Sequence, residues 1–145
     1  MNDRAPVSRD NLGFLLAKAS QRWNELLAER FRLSGYSEVR PSFGSVLVPL
    51  MEEDDLRVGE LARRARLSKQ AMTTLVRSVE HAGLVVREPD AGDGRAARVR
   101  LTPKGQAFGL AAAQVVRELD DLVEGSLDED ELDRLVNALR KVVEL

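Results

Sequence analysis

Apolar positions recur at helical spacing along most of this chain. Leu12, Leu15, Leu16, Ala19, Trp23, Leu26 and Leu27 form one broad stripe, which predicts a first helix over residues 11–33. Gly35 is placed to end it, because glycine enters the left-handed conformation at little cost. Pro41 suits the first turn of a second helix whose apolar face is Phe43, Val46, Leu47 and Leu50. Pro49 lacks a backbone donor and should kink or shorten that helix. The run Glu52-Glu53-Asp54-Asp55 reads as a solvated loop, not a metal site. Val58, Leu61, Ala62 and Ala65 mark a short third helix.

The next segment changes character. Ser68 is a good N-cap, with Leu67 before it and Met72 after it as a hydrophobic staple. A fourth helix is predicted from Lys69 to His81, with Ala71, Met72, Leu75, Val76 and Val79 on one side. Lys69, Gln70, Thr73, Thr74 and Arg77 lie on another. Gly83 ends it. Leu84, Val85 and Val86 read as a short strand, and residues 89–94 are dense in turn formers. Ala97, Val99 and Leu101 alternate with Arg98, Arg100 and Thr102, which predicts a half-buried second strand and hence a hairpin. Thr102-Pro103 looks like an N-cap and N1 pair opening a fifth helix, with Phe108, Ala112, Val115, Val116, Leu119, Leu122 and Val123 at helical spacing up to Gly125. Asp128 and Glu131 form a capping-box pattern before a sixth helix carrying Leu132, Leu135, Val136, Leu139, Val142 and Val143.

The expected class is therefore mainly α with a small β-hairpin, six helices in one domain of 145 residues. No internal repeat or composition break suggests a second domain. Composition narrows the chemistry. Cysteine is absent and His81 is the one histidine, which excludes disulfides, thiol catalysis and a zinc site of His and Cys. No nucleophile–histidine–acid set stands out, so no catalytic residue, metal or cofactor is expected. Residues 92–97 formally fit a G-x-G-x-x-A dinucleotide fingerprint, but a strand follows where a helix is required. No stretch is long and apolar enough for a membrane span, and the start, MNDRAPVSRD, lacks the apolar core of a signal peptide. A cytoplasmic location is expected.

The formal net charge is only -2. Its distribution matters more. Residues 57–104 carry eleven basic and five acidic side chains, while the rest of the chain is strongly acidic. A basic middle in an acidic chain is the footprint of phosphate binding. Two short helices joined by a tight turn and followed by a hairpin form a winged helix-turn-helix pattern. A major groove about 12 Å wide admits one helix. The helix from Ser68 meets that demand, burying one face and offering Lys69, Gln70, Thr73, Thr74 and Arg77 on the other.

The stretch 58–105 resembles the MarR family of bacterial regulators. It is carried by VGELARRARLSKQAMTTLVRSVEHAGLVVREP and DGRAARVRLTPKG, with the D-x-R element at Asp93 and Arg95, then Leu101, Thr102 and Gly105. The resemblance implies that Arg95 is the wing-tip arginine entering the minor groove and that Asp93 orients arginine side chains there. Arg98 joins this DNA-binding set. Asp93 as a plain turn former is the alternative. Arg66 stands where many relatives have glycine, and would be strained if left-handed.

The resemblance further implies a homodimer built by residues 11–40 and 105–145, with a DNA-binding lobe over 41–104. The implied function is a repressor on a palindromic double-stranded operator, released by a small apolar or aromatic effector. Trp23, Phe43, Leu47 and Met51 are candidates to line an effector site, with core packing as the competing explanation. A winged-helix protein–protein interaction module without DNA binding is the alternative function.

Overall fold

Helix α1 (Leu12–Leu33) opens the computed structural model, which describes residues 7–145. The first six residues of the chain start discussed above lie outside the described residues. Asn11 caps α1 by accepting from the Phe14 amide, and Gly35 follows at φ 91. The second apolar run splits in two. Pro41–Phe43 forms a 3₁₀ turn, and α2 runs Gly44–Glu52. Pro49 sits inside α2, which ends one turn later where the Glu53 amide donates to the Pro49 carbonyl. A two-residue strand β1 (Leu56–Arg57), not anticipated from the sequence, leads into α3 (Val58–Ala65).

Arg66 closes α3 in the left-handed region, at φ 54 and ψ 40. A non-glycine residue there costs about 1–2 kcal/mol. Its guanidinium donates to the Val143 carbonyl at 3.1 Å, which ties this turn to the far end of the chain. Helix α4 (Lys69–His81) has the predicted bounds and ends before Gly83 at φ 81. Strands β2 (Val85–Pro89) and β3 (Ala97–Leu101) form the expected hairpin. Strand β1 adds to its other edge, giving an antiparallel sheet in the order β1-β3-β2. Helix α5 (Pro103–Glu124) starts at the Thr102 cap, and α6 (Glu129–Val143) starts at the Asp128 cap.

The core lies among α2, α3, α4, the sheet and the first half of α5. Val46, Leu61, Met72, Val76, Val79, Leu84 and Val99 are completely buried in it. Phe108 of α5 joins α1 to this core, meeting Phe31 and Tyr36 edge to face, both at 5.0 Å between ring centres. Within one chain α1 packs on α5, whereas α6 buries no residue. Leu135, Val136, Leu139, Val142 and Val143 of α6 stay exposed, with Leu110, Val116 and Leu122 of α5 and Leu12, Phe14 and Leu15 of α1. No helix among the described residues is long and apolar enough to cross a membrane.

Candidate nucleic-acid interface

Helix α4 is held by its apolar side, and this fixes what it offers outward. At about 100° per residue, Met72, Val76 and Val79 share one direction, with Leu75 beside them. The first three are fully buried and Leu75 is half-buried. Gln70, Thr74, Arg77 and His81 point the opposite way and are exposed. Ala71 and Thr73 fall on the two flanks. Ala71, expected on the apolar side, is exposed, and Thr73, expected on the polar side, is half-buried. His81 was not among the expected contacts, although it follows Arg77 by four residues on the same face.

The N-terminus of α4 is built as expected. Ser68 Oγ accepts from the Ala71 amide at 3.0 Å, leaving neighbouring amides free to face an anion. Thr73 and Thr74 hydroxyls donate back to the Lys69 and Gln70 carbonyls, at 2.8 and 3.1 Å. Ser68→Ala is expected to lower unfolding stability by about 1 kcal/mol, read as a shifted urea midpoint.

The eleven basic side chains of the middle segment divide sharply. Arg63 and Arg64 both donate to Glu60, at 2.5–3.0 Å, and Arg64 reaches Glu53 at 2.7 Å. The Arg63 and Arg64 guanidiniums hold the Glu60 carboxyl down at about 2. Arg87 pairs with Glu80 at 3.0 Å, and Arg100 with Glu88 at 2.6 Å. Lys104 donates to Glu38 at 2.7 Å and to the Ala82 carbonyl at 2.9 Å. The Arg87 and Lys104 bonds lower the Glu80 and Glu38 pKa values below the ordinary range. Among the described residues Lys69 and Arg77 make no ion pair, and both are exposed. Arg95 is 98% exposed at the hairpin tip, its Nε 3.9 Å from Asp93 Oδ1. These three are the cations of the segment left to meet an external anion, with Arg66 bound only to a carbonyl.

The acids at the wing are arranged differently from the expectation. Asp93 Oδ1 accepts from the main-chain N–H of Arg95 at 3.0 Å, so it chiefly shapes the turn. The acid that holds arginine side chains firmly is Asp90. It takes Arg57 Nη2 at 2.5 Å and Arg98 Nη1 at 3.3 Å. Arg98, expected as a DNA contact, also donates to the Asp55 side chain at 2.8 Å and to its carbonyl at 3.0 Å. Its guanidinium is engaged within the protein. The acidic run 52–55 is likewise no simple solvated loop. Asp54 Oδ1 accepts from the Leu101 amide at 3.0 Å, and Asp55 grips Arg98. Among the described residues no group of three or more metal-ligating side chains comes together.

The four candidate effector residues scatter by burial. Phe43 and Leu47 belong to the core, Trp23 packs against it, and Met51 is exposed with its thioether near Gly109. One surface groove runs along α1 from Ala17 to Ala28 beside Pro41, and another lies on α6 at Val136, Leu139 and Val143. None of the four lines either groove.

Comparison with known proteins bears on the arrangement. A model described as MarR family matches residues 45–96. The uncharacterized HTH-type transcriptional regulator ML2140 of Mycobacterium leprae is 36% identical over 118 residues, 80% of each chain. The HTH-type transcriptional repressor Rv2887 of Mycobacterium tuberculosis is 39% identical over 71 residues, 49% of this chain. That match spans about half the length of the repressor, 51%. Among solved structures, the fold matches the transcriptional repressor CouR bound to a 23-mer DNA duplex, with TM-score 0.82 and 23% identity over 96% of this chain and 99% of that one. It also matches the PcaV regulator of Streptomyces coelicolor in complex with its natural ligand, with TM-score 0.80 and 21% identity over 97% and 98%. At these identities the two structures establish the fold.

Proposed function

The chain belongs to the MarR family, and on that premise we propose that it is a cytoplasmic DNA-binding transcription repressor, not an enzyme, acting as a homodimer. The observation that carries this reading is the pairing pattern of the basic segment. Acids of the segment, together with Glu38, Glu53 and Asp55, neutralise the side chains that brace the lobe, while Lys69 and Arg77 of α4 make no ion pair among the described residues and Arg95 at the hairpin tip has only a 3.9 Å approach to Asp93. In this reading Ser68 and the α4 N-terminus hold a phosphate. Gln70, Thr74 and Arg77, with Lys69 and Thr73 at the margins, face base edges and phosphates in the major groove. Arg95 enters the minor groove, where a narrow A·T-rich segment concentrates negative potential.

Residues 41–104 are then the reading lobe, and residues 11–40 and 105–145 the dimerisation helices. The exposed apolar side chains of α1, α5 and α6 supply the area such a dimer buries. A two-fold dimer reads a palindrome whose half-sites are spaced by about one helical turn or a multiple. A small apolar or aromatic effector, with Trp23, Phe43, Leu47 and Met51 as its candidate contacts, would release it; the similarly folded PcaV is itself in complex with its natural ligand.

The test is selection of bound fragments from a genomic DNA pool with the wild-type chain and with Arg95→Ala, alongside sedimentation. The wild type is expected to enrich palindromic fragments as a dimer. Arg95→Ala is expected to weaken binding to them by about 1–3 kcal/mol at fixed salt. No enrichment would favour a protein-interaction module, unchanged affinity of Arg95→Ala would remove the wing role, and a monomeric mass at micromolar concentration would overturn the dimer.

A further inference from the structure

Asp90 is the buried charged residue of the described chain, its side chain 6% exposed, and it sits where the hairpin tip begins. Its two oxygens are shared between arginines from different strands. Arg57 comes from β1, Arg98 from β3, and the two stand opposite one another in the strand register. Arg98 is gripped from the other side by Asp55, which holds the left-handed region at φ 67 and presents both its carboxylate and its carbonyl. The Asp90 amide donates to the Ala96 carbonyl at 2.9 Å, closing the tip loop that carries Arg95. The chain of contacts thus runs from Asp55 of the acidic run through Arg98 to Asp90 at the base of the loop, with Arg57 as a second arm on Asp90.

We infer that Asp90 is a positioning residue for DNA binding: clamped by Arg57 and Arg98, it aims the Arg95 loop at the minor groove without touching DNA itself. The inference rests on the DNA-binding reading above. A buried carboxylate flanked by two guanidiniums is costly to break from one side, so the loop base has one stable arrangement. The opposing view treats Asp90 as one more acid near phosphates. The two views differ in sign. Removing an acid from a DNA-facing lobe, and freeing Arg57, should raise affinity if charge alone mattered. If Asp90 aims Arg95, its loss lowers affinity.

The experiment measures binding of a duplex recovered in the genomic selection by the wild type, Asp90→Asn, Arg95→Ala and the double variant, at one salt concentration. Circular dichroism melts verify folding. Asp90→Asn is expected to weaken binding by about tenfold. It is expected to add nothing in the Arg95→Ala background, because an aiming residue has nothing left to aim. The hydroxyl-radical footprint in the minor groove should fade while major-groove protection stays. A gain in affinity, or losses that add in the double variant, overturns the inference while leaving the function standing. Absence of binding by the wild type, or an Arg95→Ala variant that binds normally, overturns the inference together with the reading beneath it. Should Asp90→Asn not fold, Arg57→Ala removes one arm while Arg98 keeps both acids, and the same non-additivity with Arg95→Ala is required.

Discussion

Raising monovalent salt from about 50 to about 200 mM is expected to weaken DNA binding by about 10³-fold, along a log–log slope near −5. The slope follows from the pairing pattern. Each phosphate neutralised releases condensed counterions, at about 0.9 per contact on duplex DNA. Setting aside Arg66, whose guanidinium is tied to the Val143 carbonyl, Lys69, Arg77 and Arg95 are three cations per protomer without a close acid, hence about six for a dimer. A simple count of the eleven basic side chains would double to about twenty-two contacts and a far steeper slope. The structure argues for the lower figure, because Arg57, Arg63, Arg64, Arg87, Arg98, Arg100 and Lys104 already hold carboxylates. Fluorescence anisotropy on a selected duplex at several salt concentrations measures it. A slope beyond about −10 would mean that the paired arginines let go of their acids on DNA, and a flat response would remove the phosphate-binding surface altogether.

The same division explains what was legible in the sequence. Helix α4 and its Ser68 cap could be read because periodicity and capping are local, involving residues three or four apart. The Thr102 and Asp128 caps were legible for the same reason. Strand β1 has two residues, too few to show alternation, and exists because β3 offers it an edge. The role of Asp90 was equally hidden. Its partners lie 33 residues upstream and 8 downstream, and nothing local distinguishes it from the other acid of the turn, Asp93. Arg98 looked like a DNA contact because it alternates outward on a strand. That it is engaged by Asp55 depends on a loop 43 residues away. The charge patch could be counted from the sequence, but which of its charges are free could not.

Gly105→Ala is expected to be the most disruptive of the small substitutions, because it forces backbone against backbone. Gly105 is the third residue of α5, and its amide donates to the Thr102 cap at 3.0 Å. A methyl group there would land deep inside contact distance of the Leu84 carbonyl oxygen, 3.1 Å from its carbon and 3.2 Å from Leu101 Cδ2. The Leu101 side chain can turn aside. The Leu84 carbonyl cannot, because it accepts from the Thr102 amide at 3.0 Å, beside the Thr102 hydroxyl bond to the Gly83 carbonyl at 2.6 Å. Lys104 adds its bond to the Ala82 carbonyl. Three successive carbonyls after α4 are thus pinned to the first turn of α5, and the glycine permits that approach. Overpacking at such a site costs about 1–3 kcal/mol, with the upper end expected where neither backbone yields. A melting point lower by about 5–10 °C should follow. Because the junction joins the proposed reading helix to a proposed dimerisation helix, relief of the clash requires α4 and α5 to shift relative to one another. At temperatures where the variant remains folded, binding to a selected duplex should therefore weaken as well. A variant that melts within a degree of the wild type and binds equally well would show that the junction is compliant, and that the glycine serves no close approach.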